Sequence, residues 1–253
     1  MKSVRIIPRL DIKGPNVVKT VHAEGLRVVG DPKALLTQYY QDGADEIIYI
    51  DIVASLYQRD FDFEQLKNVS KNVFIPMTVG GGIRSLGDIE KALHSGADKV
   101  AINTYAVHHP EFLKKAVEKF GSQCVVLLVD AKNVGIGKWE SYTDGGRETT
   151  GLDVIDWVKK AIDLGVGEIL LTSIDRDGTK KGYDIELVRA VTSISPVPVI
   201  AHGGAGKLDD IVDVIKKTNV DAVSISSLLH YNALEIKDIR SFLDKSSIST
   251  RKI

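Results

Sequence analysis

Apolar, β-branched runs alternate with longer amphipathic segments along the whole chain. The apolar runs predict strands near residues 4–11, 45–53, 73–80, 97–103, 123–130, 167–173, 197–202 and 220–226. Runs that are apolar on both faces are typical of parallel strands covered by helices. Residues 31–42 and 87–95 predict helices, because Asp31 and Pro32 favour a helix start and Gly96 favours a helix end.

Eight strand–helix units in about 250 residues predict an α/β protein with a closed (β/α)8 (TIM) barrel; the alternative is a doubly wound open sheet. An internal repeat favours the barrel: Gly81 matches Gly203 at an offset of 203 − 81 = 122 residues, and residues 5–11 match residues 124–130. Two similar halves that close on each other leave no sheet edge. We expect one domain over residues 1–253, built from half-barrels at about 1–120 and 121–245.

Three segments fall outside the strand–helix pattern. Residues 132–151 alternate around Trp139 as in a short hairpin, which lies either over the barrel mouth or on the outer surface. Residues 13–30 predict an irregular, mobile lid. The polar segment 246–253 is expected to fray.

Composition narrows the partners that are expected. The 33 basic and 34 acidic residues give a net charge of −1, which gives no reason to expect nucleic acid or a membrane surface. Cys124 is the only cysteine, which excludes an internal disulfide and fits a reducing compartment. No run approaches the ~18 apolar residues of a membrane span. We expect a cytoplasmic protein with no metal and no cofactor.

Asp11 and Asp130 end the first and fifth predicted strands at positions that the repeat relates. Active sites of such barrels lie at the carboxyl ends of the strands. Two carboxylates that face each other there are suited to acid and base chemistry on one substrate. The alternative is that each caps a loop or pairs with Lys13 or Lys132.

Small and hydroxyl residues after the strands predict two phosphate sites, one in each half. Each glycine pair alone is typical of a tight turn, but two pairs at matching positions favour a substrate with two phosphates. The first set is Gly81, Gly82, Asn103 and Thr104, and the second is Asp177, Gly178, Gly203, Gly204, Ser226 and Ser227.

Charged residues stand near the starts of four predicted strands, namely Arg5, Glu46, Lys99 and Glu168. If their side chains point inward, they form a ring of mixed charge that gates a small polar molecule. If they point outward, they are solvated strand starts.

Several motifs together resemble one family, the cyclase subunit of imidazole glycerol phosphate synthase. They include TVGGGIR at 78–84 and LTSIDRDGT at 171–179, with further matches at 5–11, 17–19, 30–32, 96–100, 120–124 and 203–206. The resemblance implies a step of histidine biosynthesis. Ammonia from a glutaminase subunit attacks a ribulosyl-linked aminoimidazole carboxamide nucleotide with two phosphates, giving imidazole glycerol phosphate and an aminoimidazole carboxamide ribotide.

The resemblance also implies roles for individual residues. Asp11 and Asp130 become the acid and base, and Lys19 lies over the substrate on a mobile loop. The ring at Arg5, Glu46, Lys99 and Glu168 becomes an ammonia gate. Asp98 and Gln123 face the glutaminase in a heterodimer.

Three residues depart from the pattern of the family. Arg9 stands where a small cysteine is usual, and strand alternation turns it into the barrel, with Asp51 as a candidate partner. Three consequences are open: Arg9 narrows the path of ammonia, it alters the environment of Asp11, or it forms an ion pair in the core in which its charge is compensated. His202 replaces a serine beside the second phosphate site, and Thr20 replaces a glycine after Lys19.

Other readings of the chain stay open. A relative that delivers ammonia to a separate amidating enzyme for surface polysaccharides is the first, although such relatives often lose the catalytic aspartates. The sister isomerase with the same substrate is the second, and the charged ring counts against it. A non-enzymatic scaffold leaves the paired aspartates and both phosphate loops unexplained.

Overall fold

A computed structural model describes residues 3–252, and within them parallel strands close into an eight-stranded barrel. The strands in chain order are β1 (Arg5–Lys13), β2 (Asn16–Val21), β3 (Glu24–Gly30), β4 (Ile47–Asp51), β5 (Met77–Gly80), β6 (Lys99–Ile102), β7 (Val125–Gly135), β8 (Lys138–Thr143), β9 (Glu148–Asp153), β10 (Glu168–Ser173), β11 (Val199–His202) and β12 (Ala222–Ile225). The barrel order is β10-β11-β12-β1-β4-β5-β6-β7, and pairing of β7 with β10 closes it. The predicted (β/α)8 fold is therefore confirmed.

Helices connect the barrel strands. They are α1 (Pro32–Gln41), α2 (Phe63–Ser70), α3 (Leu86–His94), α4 (Thr104–His108), α5 (Glu111–Phe120), α6 (Val154–Asp163), α7 (Ile185–Ile194), α8 (Leu208–Lys217), α9 (Ser227–His230) and α10 (Ile236–Lys245). The predicted start of α1 is confirmed, because the Asp31 side chain accepts a hydrogen bond from the Ala34 amide. A capping box between Ser85 and Asp88 starts α3.

Two antiparallel additions rise from the barrel mouth. The β7–β8 hairpin confirms the predicted alternation around Trp139, and β9 extends it. Residues 16–30 form the β2–β3 hairpin, which pairs with β1. The expectation that residues 13–30 are irregular is therefore wrong, because backbone pairing with β1 extends the sheet through this segment, while a role of the segment as a mobile lid stays a prediction.

The core has two layers, one inside the barrel and one between the barrel and the helices. Inward-facing residues of neighbouring strands fill the barrel, including Ile7, Ile48, Val126 and Leu170. The outer layer is larger and buries the apolar faces of α1 to α10. Because the interior is packed, reaction chemistry is confined to the end of the barrel where polar side chains replace this filling.

The carboxyl-terminal segment does not fray as expected. Ile248 is buried, and the Val4 amide donates to the Ser249 carbonyl at 2.9 Å. The Arg251 Nε atom lies 3.0 Å from Asp45 Oδ1. A buried apolar side chain and an ion pair outweigh the polar composition of the segment up to residue 252, and Ile253 lies outside the described residues.

Candidate active site

A cleft of about 820 Å³ opens at the carboxyl ends of the strands. Asp11 and Asp130 line it from β1 and β7, which the strand order places on opposite sides of the barrel. The cleft also contains the whole first predicted phosphate set, Gly81, Gly82, Asn103 and Thr104. The structure thus brings the two aspartates together with one of the two predicted phosphate loops.

Asp11 is paired with Arg9. The Arg9 Nε atom donates to Asp11 Oδ1 at 2.8 Å, and Arg9 Nη1 donates to Thr172 Oγ1 at 2.9 Å. The expected Arg9–Asp51 pair is wrong, because Asp51 lies 2.5 Å from Arg59 Nη2. Alternation alone predicts that Arg9 points inward, but the carboxylate on its own strand is nearer in space.

Asp130 has a different environment. Its Oδ2 atom accepts a hydrogen bond from Asn103 Nδ2 at 3.0 Å, and the same amide donates to the Tyr142 carbonyl. Burial raises the pKa of Asp130 to about 6, although Arg9 and Asn103 act in the opposite direction. A carboxyl group with this pKa can carry a proton near neutral pH.

The first phosphate loop needs glycine for steric reasons. Gly81 has a φ of +97°, and a Cβ atom there would collide with the Asp51 carbonyl oxygen. The loop therefore brings its backbone close to the cleft without side chains in the way. Thr104, at the adjoining start of α4, accepts a hydrogen bond from the Asp144 amide at 3.0 Å.

The second phosphate loop forms a separate pocket of about 240 Å³. Gly204 has a φ of +108°, and a Cβ atom there would collide with the Gly182 carbonyl oxygen, as the repeat predicts from Gly81 and Gly82. The pocket contains every predicted member of the second set together with Lys19 and His202, namely Asp177, Gly178, Gly203, Gly204, Ser226 and Ser227.

The β2–β3 hairpin is fastened over this pocket through Asp177. Lys19 Nζ lies 2.7 Å from Asp177 Oδ1, and Thr20 Oγ1 donates to Asp177 Oδ2 at 2.6 Å. Burial opposes the charge of Asp177, but the charge of Lys19 and the hydrogen bonds from Lys19 and Thr20 outweigh it and lower the pKa of Asp177. Thr20 thus supplies a hydrogen bond at the position where a glycine was expected to give the loop freedom.

His202 is buried beside the second loop. Its Nδ1 atom lies 3.3 Å from the Ser224 carbonyl oxygen, and its Nε2 atom lies 3.7 Å from Asp177 Oδ1. Burial, with Arg9 and Lys19, lowers the pKa of His202 well below its usual value. His202 can therefore contribute a hydrogen bond to this site, whereas a charge on its imidazole at neutral pH does not fit the environment.

The four charged residues at the opposite end of the barrel form a closed ring. Arg5 lies 2.5 Å from Glu46 and 2.7 Å from Glu168, whereas Lys99 lies 3.0 Å and 2.8 Å from the same two carboxylates. Each cation therefore bridges both anions across the barrel axis. The four side chains therefore point inward and surround the barrel axis, which is the first of the two orientations considered from the sequence.

Asp98 and Gln123 lie near this ring. Gln123 is exposed and lines the same opening as Arg5 and Lys99. Asp98 Oδ2 accepts a hydrogen bond from the Met77 amide at 2.8 Å, so this side chain anchors the start of β5. Both residues lie on the face where the resemblance implies a partner.

Thr172 is a site residue that the sequence analysis missed. It lines the cleft and bonds Arg9 across the barrel. Alternation along β10 from Glu168 indicates that it points inward, but nothing local links it to a residue 163 positions earlier. Among residues 3–252, no three His, Cys, Asp or Glu side chains are grouped to hold a metal ion, and no helix is long and apolar enough to cross a membrane.

The profile of the histidine biosynthesis protein family matches residues 5–235. The match covers most of the chain and includes both phosphate loops and both aspartates. Fold, cleft and profile together define a (β/α)8 barrel of the histidine biosynthesis class.

Three relatives narrow this class, and each is described as imidazole glycerol phosphate synthase subunit HisF. The chain is 57% identical to the Legionella pneumophila protein, over 83% of this chain and 99% of that protein. It is 46% identical to the protein of Lactococcus lactis subsp. cremoris, over 100% and 98%, and 44% identical to that of Streptococcus mutans, over 99% and 100%. The chain belongs to the HisF family.

Proposed function

We propose that the chain is the cyclase subunit of imidazole glycerol phosphate synthase, with Asp11 and Asp130 as its acid and base pair. Its substrates are ammonia and a ribulosyl-linked aminoimidazole carboxamide nucleotide with two phosphates. Its products are imidazole glycerol phosphate, an aminoimidazole carboxamide ribotide and water, which carries away the ketone oxygen when the imidazole ring closes.

One observation carries this proposal: two buried aspartates on opposite strands line one cleft, which contains the first predicted phosphate loop and shares Asp177 with the pocket of the second. A substrate anchored by a phosphate at each loop spans the mouth of the barrel. Its reacting centre then lies between Asp11 and Asp130, within reach of both carboxyl groups.

The two steps of the reaction need two proton-transfer groups. Ammonia loses a proton as its nitrogen bonds to a carbon of the substrate. Cleavage releases the aminoimidazole as an amine, whose nitrogen gains a proton. Two carboxyl groups in different environments can perform these opposite tasks.

Ammonia enters, in this proposal, from a glutaminase subunit at the opposite end of the barrel. The ring at Arg5, Glu46, Lys99 and Glu168 stands at that end and encloses the barrel axis. Gln123, beside the ring opening, and Asp98 lie on the face that such a partner covers.

The test is turnover of the two-phosphate substrate with ammonium chloride and the purified chain alone, at moderately alkaline pH. We expect conversion by the unaltered chain and loss of at least about a thousandfold in kcat for Asp11→Asn or Asp130→Asn, with substrate binding retained. Asp213→Asn is the matched control, because Asp213 is exposed on α8 and pairs with Lys217.

Near-normal turnover in either aspartate variant would remove that residue from the acid and base pair. Absence of conversion by folded, unaltered protein would overturn the cyclase proposal and favour the ammonia-delivering alternative.

A further inference from the structure

Arg9 is held at both its side chain and its backbone. Only 5% of the residue is exposed. Its guanidinium bonds Asp11 on β1 and Thr172 on β10, and its carbonyl oxygen accepts from Ser226 Oγ at 2.9 Å. Three strand ends therefore fix its position, one of them beside the second phosphate pocket.

A guanidinium bound in this way acts on one aspartate more directly than on the other. It is always charged, and its planar fork sets the direction of each hydrogen bond. The 2.8 Å bond from Nε occupies one carboxylate oxygen of Asp11, which orients that group and makes it the anionic partner of an ion pair.

Asp130 has no such bond from Arg9 among the described contacts. The groups that act on it are Asn103 through a hydrogen bond, and Arg9, Asp11 and Asp177 through their charges. Burial is the largest influence and raises its pKa to about 6. The two aspartates thus occupy equivalent positions of the repeat but unequal electrostatic environments.

We propose that Arg9 is a positioning residue that fixes Asp11 as the proton-accepting carboxylate and so leaves Asp130 to donate the proton. The inference rests on the proposed cyclase function. The incoming nitrogen forms its bond to carbon and gives a proton to Asp11. The bond to the departing nitrogen breaks, and that nitrogen takes a proton from Asp130. Exchange with solvent then restores both groups, so no proton is gained or lost by the protein over a cycle.

If the ion pair between Arg9 and Asp11 had only a structural role, Arg9 would do no more than keep the barrel packed. The chain provides a control of that kind in Arg240, which is also buried and pairs with Asp45 away from the cleft. Arg9→Cys, Arg9→Lys and Arg240→Cys therefore separate the two roles. The readouts are kcat and KM with ammonium chloride, the melting temperature, and the Asp130 titration followed by carboxyl ¹³C NMR in the substrate-free protein.

For Arg9→Cys we expect kcat to fall at least about tenfold and KM for the two-phosphate substrate to change less than about threefold. Loss of the nearby positive charge moves the Asp130 titration to higher pH. Arg9→Lys keeps the positive charge, so the Asp130 titration should stay where it is in the unaltered chain. Because lysine lacks the planar guanidinium fork, we expect this variant to have only part of the kcat of the unaltered chain. Arg240→Cys lowers the melting temperature without moving the Asp130 titration.

The proposal is overturned if Arg9→Cys keeps kcat within about twofold of the unaltered chain, or if its Asp130 titration does not move. If Arg9→Cys does not fold, full kcat in Arg9→Lys overturns it. If the unaltered chain does not convert the two-phosphate substrate, the cyclase proposal fails separately. The titrations of Asp130 in the variants then decide whether Arg9 governs the protonation of Asp130.

Discussion

Asp11 and Asp130 show how the same residue type acquires different properties at equivalent places. Asp11 is paired with a guanidinium at 2.8 Å, whereas Asp130 is buried with an amide as its hydrogen-bond partner. One charge is compensated directly, and the other is not. The two aspartates should therefore contribute to stability with opposite signs.

Asp130→Asn is expected to stabilise the fold at alkaline pH. The folded-state pKa of about 6 lies above the ordinary value of 3.8, so ionising Asp130 costs the folded state about 3 kcal/mol at pH 8. The cost is absent below about pH 4 and accumulates as the pH rises to about 6. Urea unfolding at pH 4.5 and pH 8 measures it, and an equal effect at both pH values would contradict the assigned cause.

Asp11→Asn is expected to destabilise the fold by about 3 kcal/mol, because it leaves the buried Arg9 guanidinium without its carboxylate. The same urea titration at pH 8 measures the loss. A stabilising Asp11→Asn substitution would show that Arg9 finds another anionic partner.

At the scale of elements, order in the β2–β3 hairpin depends on a residue far away in sequence. The Asp177 carboxylate accepts hydrogen bonds from Lys19 and Thr20, which lie 158 and 157 positions away in the sequence. The His22 amide also donates to the Asp177 carbonyl at 3.0 Å. The hairpin is therefore fastened both at the middle of β2 and at its tip, where His22 begins the turn.

Asp177→Ala is expected to release the hairpin, because Lys19 loses its partner while buried. Limited tryptic cleavage at the exposed Arg27 should accelerate about tenfold or more. Asp175→Ala is the matched control, since Asp175 accepts from the Asn133 amide on β7. Equal acceleration at Arg27 in both variants would rule out fastening by Asp177.

Truncation after Ser247 is expected to cost about 3 kcal/mol of unfolding free energy. It removes the buried Ile248, the Ser249 carbonyl and the Arg251–Asp45 pair. Truncation after Arg251 is the control and should change stability by less than about 0.5 kcal/mol. Equal stability of the two truncated chains would mean that the segment contributes nothing.

At the scale of the whole molecule, the repeat extends to the ends of the barrel opposite the cleft. Asp98 accepts from the Met77 amide, and Asp221 accepts from the Val199 amide at 3.0 Å. The offsets are 221 − 98 = 123 and 199 − 77 = 122 residues. The halves thus share strand anchors as well as glycine loops, while the boundary near residue 120 stays a prediction.

Lys99→Ala is expected to affect the two nitrogen sources unequally. Lys99 bridges Glu46 and Glu168, so its loss opens one side of the proposed gate. With the glutaminase partner present, glutamine-dependent turnover should fall at least about fivefold more than ammonium-dependent turnover. Lys160→Ala, on the exposed face of α6, is the control, and an equal loss with both sources would count against a gate.

The sequence by itself determined the features that depend on local pattern. Apolar runs predicted the barrel strands, although β5 begins only at Met77, after Pro76, which has no amide hydrogen to donate. Alternation predicted that Arg9 points into the barrel, while it left the orientation of Arg5 open. The repeated glycines predicted two loops that line pockets at the strand ends, and phosphate binding by them stays a prediction. Each of these follows from side-chain period or backbone sterics within a few residues.

Only the tertiary structure decided which groups meet. Arg9 pairs with Asp11 and Thr172 rather than Asp51, and Asp177 fastens a hairpin that the sequence left irregular. The carboxyl-terminal segment packs because Val4 and Asp45 provide its partners. Except for Arg9 with Asp11, these pairings join residues more than 100 positions apart. They depend on strand stagger and barrel closure, which leave no periodic trace in the sequence.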